Sequence, residues 1–291
     1  MAKKIVRPIL TYADEAHHVP ADTYQKVMKH FTPKLWLGMT ATPDKRDDNI
    51  EGRNVYELFD HQIAYEIRLQ QAMEENLLCP FHYFGITDLA IIGDDEEASR
   101  DFSVLTSDER VKHIINEADY YGYSGDKVKG LIFCSSIKET EELSEKFNHM
   151  INPSTGQKFR TIALNGSASE QERQNAFERL AMDENEKNID KKPLDYIFSV
   201  EILNEGVDIV EVNQVIMLRP TQSPIIFIQQ LGRGLRLYKG KEYLNVLDFI
   251  GNYEKAGKAP LLLSGEQSFS KKGSCEYQDL EYPDDCIVDF D

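Results

Sequence analysis

Short apolar runs and amphipathic stretches alternate along most of this chain. Lys34 to Met39 and Phe81 to Ile86 read as strands, and His61 to Asn76 between them has helical spacing, with Ile63, Ile67 and Met73 at its candidate buried positions. Gly130-Leu131-Ile132-Phe133-Cys134 is an unbroken apolar run, as expected of a parallel strand buried on both faces. A helix is expected to follow from about Lys138 to Met150, with Ser135 or Ser136 as N-cap and acidic residues in its first turns. Thr161 to Leu164, Tyr196 to Val200, Gln214 to Leu218 and Tyr243 to Phe249 are further expected strands. Ser107 to Tyr121, Ser169 to Leu180 and Pro224 to Leu231 are expected helices. Strand and helix in alternation predict an α/β fold with a parallel sheet covered on both faces.

The polar segment Thr87 to Asp101, with its acidic knot Asp94-Asp95-Glu96-Glu97, places an expected boundary between a first lobe over residues 1–90 and a second over 91–262. Asp183 to Lys192 reads as a polar insert looping out of the second lobe. From about Leu263 the periodicity fades, so residues 263–291 are expected to be an acidic tail or the start of a further domain.

Composition narrows the class. A hydrophobic content of 41% with 29% charged residues suits a soluble globular protein. The formal net charge of −17 argues against a DNA-packaging protein, though not against one that grips a backbone through amides and a few side chains. Cys79, Cys134, Cys275 and Cys286 are scattered without a Cys-x-x-Cys, which argues against a zinc ribbon or a disulfide framework and fits a reducing, cytoplasmic setting. No apolar run approaches the roughly 20 residues that span a bilayer, and Pro8 interrupts the short apolar N-terminal stretch, unlike a signal peptide.

Four segments carry candidate chemistry. Asp14-Glu15-Ala16-His17 follows a β-like run, so its carboxylates belong at a strand's C-terminal end, where α/β sheets bind ligands. There Asp14 can hold Mg²⁺ through water while Glu15 orients and deprotonates an attacking water. An acid-decorated helix start is the plainer alternative. Thr40-Ala41-Thr42-Pro43 offers two hydroxyls near a nucleotide, or else a turn with Thr42 as N-cap and Pro43 at the first helical position. In Asn204-Glu205-Gly206-Val207-Asp208, Gly206 permits close backbone approach and Asp208 can accept from a ribose or from Arg233. Gln229, Arg233 and Arg236 fall at near-helical spacing, and arginine presents a fork suited to phosphate oxygens. Each segment alone admits a structural reading; the ordered set of four is specific.

Together these segments resemble the superfamily 2 helicases and translocases, in the branch with DEAH-type Walker B motifs that includes restriction-enzyme motor subunits and repair-type DNA helicases. Asp14 to His17 match motif II, Thr40 to Pro43 motif III, Asn204 to Asp208 motif V and Gln229 to Arg236 motif VI; Phe133 to Ser136 sit where motif IV lies. The resemblance implies two RecA-like parallel-sheet lobes, the first incomplete here, with ATP and Mg²⁺ between them and DNA, in preference to RNA, across their tops. It further implies that His17 couples the nucleotide site to lobe closure and that Thr40 and Thr42 link hydrolysis to strand movement. Gln229 would place the water or phosphate, and Arg233 and Arg236 would reach the γ-phosphate, with Arg236 favoured as the arginine finger. Restriction or repair subunits are the implied protein partners.

The family's Walker A loop should precede motif II, yet no Gly-x-x-x-x-Gly-Lys-Ser/Thr occurs. The missing amide nest and lysine predict that this chain alone hydrolyses ATP little or not at all. The alternative reading is a non-catalytic nucleic-acid-binding or regulatory module that retains the motor lobes. A nuclease reading rests only on Asp190-Lys191-Lys192, in a polar insert without a partner carboxylate.

Overall fold

The structure, a computed structural model, describes residues 10–40, 55–89, 101–183, 191–200, 209–218, 232, 234–250 and 282–290. Contacts divide the chain into two units, Met1–Ile67 and Arg68–Asp291.

In the first unit β1 (Leu10–Ala13) and β2 (Leu35–Gly38) pair in parallel, with Leu10 opposite Leu35 and Ala13 opposite Gly38. Parallel neighbours need a crossover, which α1 (Asp22–His30) supplies. Asp22 in its first turn and Lys29 and His30 in its last both favour the helix dipole. A short helix, α2 (Val55–Leu58), follows. A Cβ at Gly38 would lie 2.6 Å from Cζ of Phe59, so a larger residue there would displace that ring.

The helix expected over His61 to Asn76 is not continuous. Asp60 and His61 both adopt a left-handed backbone (φ 55°), Ile63 is 58% exposed, and the helix α3 covers only Leu69–Glu74. Helical spacing there recorded the burial of Met73 but not of Ile63.

The second unit holds β3 (Phe81–Thr87), α4 (Phe102–Leu105), α5 (Asp108–Tyr121), β4 (Gly130–Phe133), α6 (Ile137–His149), β5 (Thr161–Leu164), α7 (Glu170–Ala181), β6 (Tyr196–Ser199), β7 (Gln214–Met217), β8 (Leu244–Ile250) and β9 (Ile287–Phe290). Seven strands form one parallel sheet in the order β5-β6-β4-β7-β8-β3-β9. The unbroken apolar run in β4 has the expected consequence: Leu131 and Phe133 enter the core beneath α7, with Ala176 and Leu180, whereas Ile132 enters the core on the opposite face, with Ile114 of α5 and Leu143 and Phe147 of α6. This is the α/β parallel-sheet architecture anticipated from the alternation.

Ser107, Ser136 and Ser169 cap α5, α6 and α7 through their side chains, and Ser169 forms a reciprocal capping box with Glu172. Of the two candidate caps for α6, Ser136 is the one used. The expected helix Pro224 to Leu231 lies outside the described residues.

Two elements sit elsewhere than their sequence neighbourhood suggested. β3 pairs with β8, and its residues Phe81, Tyr83 and Ile86 are buried in the second unit's cores. The division by contacts therefore falls between Ile67 and Arg68, ahead of the polar segment Thr87 to Asp101. In the acidic tail, β9 joins the sheet edge beside β3. Among the described residues no helix is long and apolar enough to cross a membrane.

Candidate functional site

The site in the first unit is a turn held between two strand ends. β1 ends at Ala13, and the chain reverses through Asp14 and Glu15 into a single 3-10 turn, Ala16–His18. The Met39 amide donates to the Ala13 carbonyl at 2.9 Å, and the Ala16 amide donates to the Met39 carbonyl at 2.8 Å. Met39 thus clamps both sides of the Asp14-Glu15 turn and brings Thr40, the next residue, to the same strand ends. Ala16 and Val19 are fully buried, which anchors the turn from below. The small Ala of the Asp-Glu-Ala-His segment fits that burial.

Glu15 takes a left-handed conformation, φ 47° and ψ 52°. A residue with a Cβ adopts this region at a cost of about 1–2 kcal/mol. The conformation lets the Glu15 amide donate to Asp14 Oδ1 at 3.0 Å. Asp14 is exposed and Glu15 half-buried, as a carboxylate pair must be to meet a solvated ligand. The donor set suits Mg²⁺, which keeps several waters and is held by one or two carboxylates together with substrate phosphates. Among the described residues no cluster of three or more His, Cys, Asp or Glu forms a closed metal cage. The His17 side chain and Thr42 lie outside the described residues.

In the second unit the C-terminal ends of the strands are tied together by one buried arginine. Arg110, 1% exposed, makes a forked contact with Asp88, just after β3, through Nε to Oδ1 at 2.9 Å and Nη2 to Oδ2 at 2.8 Å. Its Nη1 donates to Glu139 Oε1 at 3.0 Å and to the Leu105 carbonyl at 2.6 Å. The other Glu139 oxygen accepts the Ser135 amide at 2.8 Å, fixing the turn after β4. The sequence reading missed Arg110, although a signal exists: it shares the buried face of α5 with Val111, Ile114, Ile115 and Ala118. A charge on an apolar stripe implies a buried partner.

Of the candidate residues in the segments 204–208 and 229–236, Gly206, Asp208, Gln229 and Arg233 lie outside the described residues. Arg236 is described. It is exposed and forms an antiparallel bridge with Leu78, while its neighbour Leu235 is buried and accepts the Cys79 amide at 2.8 Å. A Cβ at Gly234 would lie 2.3 Å from Cδ1 of Leu244, so a larger residue there would displace that side chain.

Two family models match the chain: the helicase conserved C-terminal domain over residues 109–238, and the type III restriction enzyme res subunit over residues 7–45. Among curated relatives, a proposed ATP-dependent helicase of Saccharomyces cerevisiae, IRC3, is 24% identical over 250 residues, covering 83% of this chain and 34% of the relative. The endonuclease subunit of the Escherichia coli type I restriction enzyme EcoAI is 24% identical over 265 residues, covering 82% and 31%. The chain therefore spans about a third of the length of these relatives. Among solved structures, a fragment of a proposed HsdR subunit of a type I restriction enzyme from Vibrio vulnificus superposes with a TM-score of 0.64 at 21% identity, covering 85% of this chain and 44% of that one. The ATP-dependent type ISP restriction-modification enzyme LlaBIII, bound to DNA, gives 0.59 at 19% identity, covering 89% and 20%.

Proposed function

We propose that the chain is part of a superfamily 2 helicase or restriction-enzyme motor, a reading supported by the matching family models and relatives, and that its parent protein couples ATP hydrolysis to movement on DNA. The observation that carries this reading is the clamped turn: Met39 holds Asp14, Glu15 and Thr40 at adjacent ends of two parallel strands. Ligands of α/β sheets bind at such ends.

In this reading Asp14 holds Mg²⁺ through water. The ion supplies charge neutralisation at the phosphates. Glu15 orients the attacking water and takes its proton, a role that needs the carboxylate projected away from the strand. The left-handed backbone of Glu15 at the end of β1 supports that reading. Thr40 and Thr42 relay the state of the phosphates to the nucleic-acid grip, and His17 reports it to the opposing lobe. Gln229, Arg233 and Arg236 stabilise charge on the transferring phosphoryl group. An arginine in that role contributes roughly 10³ to 10⁵ in rate. Gly206 and Asp208 contact the nucleotide. DNA is preferred over RNA as the track on the likeness to restriction-enzyme subunits.

The test is ATP turnover with and without duplex DNA by the protein expressed from its native reading frame, beside Glu15→Gln. DNA-stimulated turnover that the substitution abolishes is the expected result. Undiminished turnover in the variant, or none in a folded wild-type protein that binds ATP, would overturn the proposal. The 291-residue chain alone, which has no Gly-x-x-x-x-Gly-Lys-Ser/Thr stretch, is expected to turn over slowly in the same assay.

A further inference from the structure

Lys241 is 8% exposed, and its ammonium donates to three carbonyls: Val210 at 2.7 Å, Gly234 at 2.9 Å and Val212 at 3.1 Å. Three acceptors match the three donors of an ammonium. Burying a cation against neutral dipoles is costly. Burial pulls the Lys241 pKa below its ordinary value, opposed by the nearby Cys79 and Glu211. A side chain kept here only to fill space would be apolar.

The position of those carbonyls shows what the charge holds. Two belong to the segment that begins directly after Asp208; the third belongs to Gly234, two residues before Arg236. Cys79 adds a thiol contact to the same Gly234 carbonyl at 3.4 Å, and its amide holds Leu235. The backbone that presents Arg236 is thus braced by Cys79 and Lys241, and Lys241 also grips the segment behind Asp208.

We propose that Lys241 is a positioning residue for Arg236, setting the backbone from which its guanidinium projects and joining it mechanically to the segment after Asp208. This rests on the reading of Arg236 as a phosphate-contacting arginine. Lys241 itself touches no substrate. Releasing the Gly234 carbonyl shifts the arginine's base, and a displacement of about 1 Å in a catalytic group can lower the rate about 100-fold.

The test is a double-mutant cycle in the full-length protein, with DNA-stimulated ATP turnover measured well below each variant's melting temperature. Lys241→Met keeps the length of the side chain and removes the charge. It is expected to lower kcat about 10- to 100-fold, with the KM for ATP and the affinity for duplex DNA unchanged. In an Arg236→Ala background the same substitution is expected to add nothing, because its effect travels through the arginine. An equal loss of kcat in both backgrounds would show a general structural effect and overturn the proposal. Wild-type kcat in Lys241→Met beside a crippled Arg236→Ala would overturn it while leaving the functional reading intact. Full turnover in Arg236→Ala would instead overturn the reading on which the proposal stands. Should Lys241→Met not fold, Lys241→Arg, which keeps a cation but moves its donors, enters the same cycle with the same outcomes.

Discussion

The Tyr83 hydroxyl donates to Asp248 Oδ2 at 2.7 Å, joining β3 to β8 within the core of the second unit. Burial pushes the Asp248 carboxyl up to about 6, and the tyrosine's hydrogen bond opposes that rise. An unfolded aspartate titrates near 3.9, so between about pH 4 and 6 the folded chain holds this proton more tightly than the unfolded one. The group's contribution to stability is fully present below about pH 4 and is lost as pH rises through 6. Relative to Asp248→Asn, the wild-type chain should therefore lose on the order of 2 kcal/mol between pH 4 and pH 7.5. Urea unfolding of both proteins at the two pH values measures this. A difference that does not change with pH would show that Asp248 is ionised throughout.

Arg110 balances two buried carboxylates, Asp88 at 3% and Glu139 at 0% exposure. Arg110→Met should cost about 3–5 kcal/mol, because removing one partner strands the others in a desolvated site. Arg110→Lys should recover only part of this, since a point charge cannot make the fork to Asp88. Chemical denaturation at neutral pH ranks the three proteins. Equal stability for wild type and the lysine variant would show that charge alone suffices.

Gly130 opens β4 beneath the ring of Tyr196, whose Cδ1 would lie 2.2 Å from an added Cβ. The ring cannot swing away cheaply because its hydroxyl is bonded to Gln214 at 2.6 Å. Gly130→Ala should cost about 1–3 kcal/mol by overpacking. Gly130→Ala combined with Tyr196→Leu should be less destabilised than the sum of the two single changes. Melting temperatures of the four proteins close that cycle, and strict additivity would contradict the clash.

The capping box at the start of α7 satisfies two backbone amides, one through Ser169 and one through Glu172. Ser169→Ala should cost about 1 kcal/mol, while Ser169→Asn should cost much less. Hydrogen exchange in the first turn of α7 should quicken in the alanine variant. Unchanged protection there would mean that the tertiary packing of Ala176 and Leu180 holds the helix without its cap.

Local rules make part of this molecule readable in its sequence. Residues 130 to 134 suit a buried strand, because a short unbroken apolar run has no face to offer water. Ser136 announced α6 because a hydroxyl before an acidic first turn satisfies donors that nothing else reaches. The Asp14-Glu15 turn was placed at a strand end by the same kind of reasoning. Long-range pairing was not readable in this way. Nothing in Phe81 to Thr87 says that its neighbours are Leu244 to Ile250 and Ile287 to Phe290, since a strand's pattern records which faces are buried and not what buries them. Lys241 was silent for a related reason. A lysine in a polar turn looks solvated until the chain folds three carbonyls around it.

The left-handed geometry of Glu15 has a consequence for anyone improving this protein in the laboratory. Glycine enters that conformation without a steric penalty, so Glu15→Gly should raise thermal stability by about 1 kcal/mol relative to Glu15→Ala. A stability screen at this position would rank glycine above alanine, and neither variant would keep the proposed water-activating carboxylate. Heat resistance and turnover are therefore separate readouts at this residue.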